Sequence, residues 1–157
     1  MKLKKYFIFS LVIILMLIFT TGCTNKKELS SEEFITIMEN EEFEVNDSTE
    51  NFKESSDIKK YIVAVDTKSS FEIEYYEFND NKKAKELFNK LENKFKNSDI
   101  SKRTSYQTTS LGNYNYYSLT TDDYYKVVSR INKTVIVTDS NRVNKERIKE
   151  VFKKLGY

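Results

Sequence analysis

The chain of 157 residues has no histidine, no proline and no tryptophan, and only three glycines and one cysteine. Each absence removes a class of chemistry. Without histidine, and with one cysteine, the usual nitrogen and sulfur ligands of zinc and copper are missing. The Ser-His and Cys-His pairs that activate a nucleophile are missing too. Gly22, Gly112 and Gly156 stand too far apart to form a GxGxxG or P-loop run around a phosphate. An excess of one charge is also lacking, with 26 Lys and Arg against 24 Asp and Glu. These charges alternate instead of clustering, which describes solvated faces and asks for no nucleic acid.

What is present begins at the N-terminus. Lys2, Lys4 and Lys5 precede an uncharged, mostly apolar run of 14 residues from Tyr6 to Phe19, and Thr20, Thr21, Gly22 and Cys23 follow. A basic start, an apolar stretch and a small-residue end is the order of an export signal. The apolar run is shorter than the roughly 20 residues a helix needs to cross about 30 Å of hydrocarbon, so a permanent transmembrane helix is the alternative reading. A free cysteine is often a core residue, and an odd one in an exported chain can pair between chains. Cys23, however, sits where an export signal ends and has no core to enter.

Thr20-Thr21-Gly22-Cys23 resembles the lipobox of bacterial lipoproteins, with Thr20 where leucine is more common. The resemblance implies cleavage between Gly22 and Cys23 and a diacylglyceryl group, carrying acyl chains such as palmitate, on the Cys23 sulfur. Two acyl chains give stable anchoring at about 0.8 kcal/mol per buried methylene. The expected organisation is a signal peptide over 1–22, a polar tether over 23–29 and one domain over 30–157. Without Lys2, Lys4 and Lys5, the 26 basic residues fall to 23 against 24 acidic ones, which again points away from nucleic acid.

Abundant Lys, Asn, Ile and Tyr beside no Pro, Trp or His looks like coding from an AT-rich genome. With the lipobox, the chain from Leu29 to Tyr157 resembles, in overall pattern, small uncharacterised lipoproteins of low-GC Gram-positive bacteria. That resemblance implies a position on the outer face of the cytoplasmic membrane and brings no activity or site with it.

Hydrophobic periodicity predicts the elements. Ser30 three residues before Glu33 has capping-box spacing, and Leu29 with Phe34 has staple spacing, so a helix is expected from about Ser31 to Asn40, burying Phe34, Ile37 and Met38. A short strand over Glu42 to Val45 follows, then a polar, turn-rich stretch from Asn46 to Asp57 anchored by Phe52. Two strands around a turn at Asp66 to Ser70 put Phe71, Ile73 and Tyr75 on one face and Glu72, Glu74 and Tyr76 on the other. Asn79 or Asp80 caps a helix whose stripe is Ala84, Leu87, Phe88, Leu91 and Phe95. Four strands with hairpin turns come next, and a last helix buries Ile148, Val151, Phe152 and Leu155 ahead of Gly156. The expected fold class is α+β, a largely antiparallel sheet with helices packed on one face. Tyr61 to Leu91 aligns with Tyr125 to Leu155 without a gap, which suggests a duplicated strand-strand-helix unit.

Two candidate sites emerge. Glu72, Glu74 and Glu77 invite a general acid and base pair, and Glu72 and Glu74 share a strand face, but alternation with Phe71, Ile73 and Tyr75 makes that face a wet one. Asp122 and Asp123 read as turn residues, too sparse in oxygen ligands for calcium. The tyrosines offer more, since they combine rigid area with a hydrogen-bonding tip. Parity within the strands assigns Tyr117 and Tyr125 to the core. It leaves Tyr114, Tyr116 and Tyr124 as a candidate exposed binding surface, with Lys126 and Arg130 beside it. No catalytic or metal-binding residue is expected, and no cofactor beyond the lipid on Cys23. The leading expectation is a membrane-anchored binding or accessory domain facing an envelope protein or wall-associated partner. The alternative is a small-solute capture protein with a pocket between sheet and helices. An enzyme built on carboxylates, tyrosine and lysine is the third class.

Overall fold

Ser30 Oγ accepts a hydrogen bond from the Glu33 amide at 3.2 Å, and the Glu33 carboxylate accepts one from the Ser30 amide at 3.0 Å. This reciprocal cap satisfies two orphan donors and starts helix α1, Ser31–Asn40. The computed structural model describes residues 25–52, 54, 57–98 and 103–157. Gly22, Cys23 and the signal segment lie outside the described residues.

After α1 the chain forms β1 (Glu44–Asp47), a 3-10 turn (Thr49–Phe52), β2 (Ile58–Asp66), β3 (Phe71–Phe78) and α2 (Asn81–Asn97). β4 (Arg103–Leu111), β5 (Tyr114–Thr121), β6 (Tyr124–Ile131) and β7 (Thr134–Asn141) follow, then a 3-10 turn (Arg142–Asn144) and α3 (Lys145–Lys154). The seven strands make one sheet in the order β1-β2-β3-β7-β6-β5-β4, and every neighbouring pair is antiparallel. The chain is therefore α+β, as its periodicity predicts. Asp80 supplies the α2 cap, accepting from the Lys82 amide at 2.6 Å. Gly156 ends α3 at φ 83, a left-handed conformation that glycine adopts without a Cβ clash.

The helices do not share one face. Phe34 and Met38 of α1 and Ile148, Val151 and Phe152 of α3 pack with Ile62, Ile73, Tyr75, Val127 and Ile136. Ala84, Phe88 and Phe95 of α2 pack with Tyr117, Leu119, Val128, Val135 and Val137, which alternate to the opposite side. The physical reason is that β6 and β7 are apolar on both sides, with Val127 beside Val128 and Val135 beside Ile136. A sheet apolar on both faces must be covered on both. α2 does this on its way across the sheet from β3, near the centre, to β4 at the far edge. The aligned halves likewise share their element order but not their sidedness. Phe71 and Ile73 face α1 and α3, whereas their counterparts Val135 and Val137 face α2.

The chain before Ser30 is part of this packing. Leu29 is buried at 8% exposure, and its carbonyl accepts from the Tyr75 hydroxyl at 2.9 Å. Lys26 is held further back, so the residues packed on the domain begin ahead of Ser30.

At the opposite edge, Asp47 accepts from Lys60 Nζ at 2.7 Å and from the Thr49 amide at 3.0 Å. The Lys60 bond, with the Thr49 bonds behind it, lowers its pKa from 3.8 to about 2. A depressed carboxylate pKa adds stability that is complete above the unfolded value and lost as pH falls through the folded one. Asp47 is 44% exposed, so solvent screening keeps this contribution below about 1 kcal/mol. Asp47→Asn should melt slightly below wild type at neutral pH, and the gap in melting temperature should close between pH 3.8 and about 2. A gap that persists at lower pH would assign the effect to something other than this charge.

Candidate functional site

Between β4, β5 and α3 the sheet face is left partly open, forming a groove of about 240 Å³. Its floor is Tyr114, Tyr116 and Val127, its wall is Ile148 and Phe152, and its rim carries Gln107, Thr109, Lys149 and Lys153. The geometry follows from strand parity. Even-numbered residues of β5 share a face with Tyr125, Val127 and Ile131 of β6, and α3 reaches only part of that face. The Tyr114 and Tyr116 rings lie 6.4 Å apart, and the Tyr116 and Tyr125 hydroxyls are 3.4 Å apart. Burial raises the pKa of Tyr114 and Tyr125, so both phenols remain neutral donors at physiological pH.

The segment ahead of α1 runs beside the groove at Tyr114. The Lys26 amide donates to Asn113 Oδ1 at 2.9 Å, and Asn113 Nδ2 donates to the Lys26 carbonyl at 2.8 Å. Lys26 Nζ donates to the Gly156 carbonyl at 2.9 Å and stands 3.9 Å from the centre of the Tyr114 ring. Partial burial lowers the Lys26 pKa, while the carbonyl and the aromatic face supply partners for its charge.

The structure brings Tyr114 and Tyr116 together and places Tyr124 elsewhere. Tyr124, 42% exposed, lies on the α2 face, with Lys126 Nζ 5.3 Å from its ring. The expected exposed surface of three tyrosines is thus divided: Tyr114 and Tyr116 are half-buried against the core on the α3 face, whereas even-numbered β5 residues stand opposite odd-numbered β6 residues, so Tyr124 falls on the other face. Lys126 and Arg130 stay with the other face as structural pins. Lys126 pairs with Asp139 at 2.8 Å. Arg130 is buried and donates to Asn115, Asn81 and the Asn132 carbonyl at 2.8, 3.0 and 2.7 Å. Tyr117 and Tyr125 are buried as expected, on opposite faces.

The carboxylates do not assemble into an acid and base pair. Glu74 accepts from the Tyr61 hydroxyl at 3.1 Å and also from Tyr76. Phe52 packs on Tyr61 with ring centres 4.9 Å apart, so this part of the face is half-buried rather than wet. Burial, with the Glu74 charge second, raises the Tyr61 pKa to about 12. Glu77 pairs with Lys59. Among the described residues no group of three metal-ligating side chains occurs, and no helix is long and apolar enough to cross a membrane.

Two other hollows compare poorly with the groove. One of about 350 Å³ is lined by Glu41, Glu42, Asp66, Lys68 and Arg147, whose charges already pair with one another. Another of about 670 Å³ is a surface dip over Asp122, Asp123 and Asn141 to Val143. The tyrosine groove lies below the roughly 300–1,000 Å³ usual for small-molecule pockets, which disfavours solute capture there.

Sequence reasoning missed Lys26, Asn113, Gln107 and Thr109. A signal was present, because Thr104 to Thr121 carries no charge in a chain that is 32% charged. Searches against protein-family models, curated proteins and solved structures found no match to this chain.

Proposed function

We propose that the chain is an extracytoplasmic lipoprotein, held at the outer face of the cytoplasmic membrane through a diacylglyceryl group on Cys23. Its domain binds an extended segment of an envelope protein along β4 and in the adjoining tyrosine groove. The observation that carries the binding reading is the contrast between the two edges of the sheet. β1 is four residues long and bears Glu44 and Asp47, devices that blunt an edge against pairing. β4 is exposed from Ser105 to Leu111 without one charge among those residues. An added strand would gain main-chain hydrogen bonds along β4, and its alternate side chains would lie beside Gln107 and Thr109 at the rim of the groove.

A photo-crosslinking residue at Gln107 should trap a discrete adduct in living cells. Tyr116→Ala should reduce that adduct at least tenfold while Tyr124→Ala leaves it unchanged. The same crosslinker at Lys90, exposed on α2, is the control. Equal adducts at 107 and 90, or insensitivity to Tyr116→Ala, would contradict the reading.

A further inference from the structure

One end of the molecule is built around the point where the tether enters. The β4–β5 turn at Gly112-Asn113 and the β6–β7 turn at Asn132-Lys133 lie side by side, joined by the Asn132 amide donating to the Asn113 carbonyl at 3.0 Å. Lys26 is fastened to this corner through both of its main-chain polar groups and its ammonium. Leu111 is 53% exposed there, and Lys133 and Lys153 are exposed around it. Glu28 acts on Arg130, which holds the Asn132 carbonyl, and exposed Asp80 adjoins Asn81, another Arg130 partner, so the corner is mixed in charge. The opposite end carries the Asp122-Asp123 turn and Val143, which is 89% exposed, joined by the Arg142 amide donating to the Asp123 carbonyl at 2.8 Å.

Two residues, Thr24 and Asn25, separate Cys23 from Lys26, so the span is three steps of at most about 3.3–3.6 Å each. A lipid on Cys23 therefore holds Lys26 within roughly 11 Å of its attachment point, so the corner that carries Lys26 stays close to the bilayer. We propose that the corner formed by Leu111 to Asn113, Asn132-Lys133 and Lys26 rests on the lipid surface, rather than hanging clear of it. This rests on the lipoprotein reading above. An exposed leucine flanked by lysines suits that position, since the apolar group enters the interface while the ammonium groups meet anionic headgroups. The tyrosine groove, which adjoins this corner where Lys26 meets the Tyr114 ring, would open beside the membrane. The segment it takes would then come from a protein at the same surface.

The test uses the full chain as bacteria process it, because acylation blocks Cys23 and leaves an introduced cysteine as the only free thiol. Leu111→Cys and Val143→Cys are labelled with an environment-sensitive fluorophore. Each is then reconstituted into vesicles of phosphatidylethanolamine and phosphatidylglycerol that carry a nitroxide-labelled lipid. The expected result is severalfold stronger quenching at 111 than at 143. Equal quenching, or stronger quenching at 143, overturns the docking corner. The N-terminal mass of the same preparations separates the two readings. Acylated Cys23 with equal quenching sinks the corner and keeps the anchor. Free Cys23, which would itself take the label, sinks the anchor and with it the corner that rests on it.

Discussion

Phe34→Ala should cost about 3–5 kcal/mol of folding stability, the range for deleting a fully buried aromatic side chain. Phe34 is 0% exposed and stacks on Tyr75 with ring centres 4.8 Å apart. Helix α1 has only 10 residues, too few to persist without tertiary packing, so Phe34 and Met38 hold it in place. The loss extends past the cavity itself, because Tyr75 also donates to the Leu29 carbonyl just ahead of the helix. Ile37→Ala on the same helix removes a half-buried side chain and should cost about 1 kcal/mol or less. Urea unfolding of both variants gives the comparison, and a Phe34→Ala loss no larger than that of Ile37→Ala would mean that α1 is not docked.

Arg147→Ala should cost about 1–3 kcal/mol, the penalty for leaving mostly buried hydrogen-bonding groups short of a partner. The guanidinium joins three separate parts of the chain. It donates to the Glu41 carboxylate at 2.8 Å and to the Glu41 carbonyl at 2.9 Å. It lies 3.7 Å from Asp66 and 5.6 Å from the centre of the Phe43 ring. Asp66 is 6% exposed, and its other oxygen already accepts from the Lys68 and Ser69 amides that shape the β2–β3 turn. Lys154 and Arg147 together depress the Glu41 pKa, so this contribution belongs to pH values above the ordinary carboxylate range and fades on acidification. Arg147→Lys should recover less than half of the loss, since an ammonium cannot reproduce the planar fork. Full recovery by lysine would show that charge alone mattered.

Local signals in this sequence translate directly into structure. Ser30 and Glu33 form the capping box their spacing announces, Phe71, Ile73 and Tyr75 are buried together, and Ala84, Phe88 and Phe95 make the inner stripe of α2. Every one of these depends on residues a few positions apart. What periodicity within a strand cannot say is which face each helix will cover. Tyr117 and Tyr125 are both core residues but on opposite sides, and only the pairing of β5 with β6 decides that. The same pairing separates Tyr124 from Tyr114 and Tyr116. Apolar neighbours such as Val127-Val128 and Val135-Ile136 were the legible sign of a sheet covered on both faces. The docking of Lys26 on Asn113 spans 87 positions and leaves no local pattern at all.

On the reading proposed above, Cys23 carries the lipid that holds this domain at the membrane. The decisive measurement is the N-terminal mass of the native protein, with membrane fractionation, beside Cys23→Ala. The expected wild-type chain begins at diacylglyceryl-modified Cys23 in the membrane fraction, and the expected Cys23→Ala chain is neither acylated nor cut at that point. A wild-type chain that keeps its N-terminus intact and bears an unmodified Cys23 would contradict this reading.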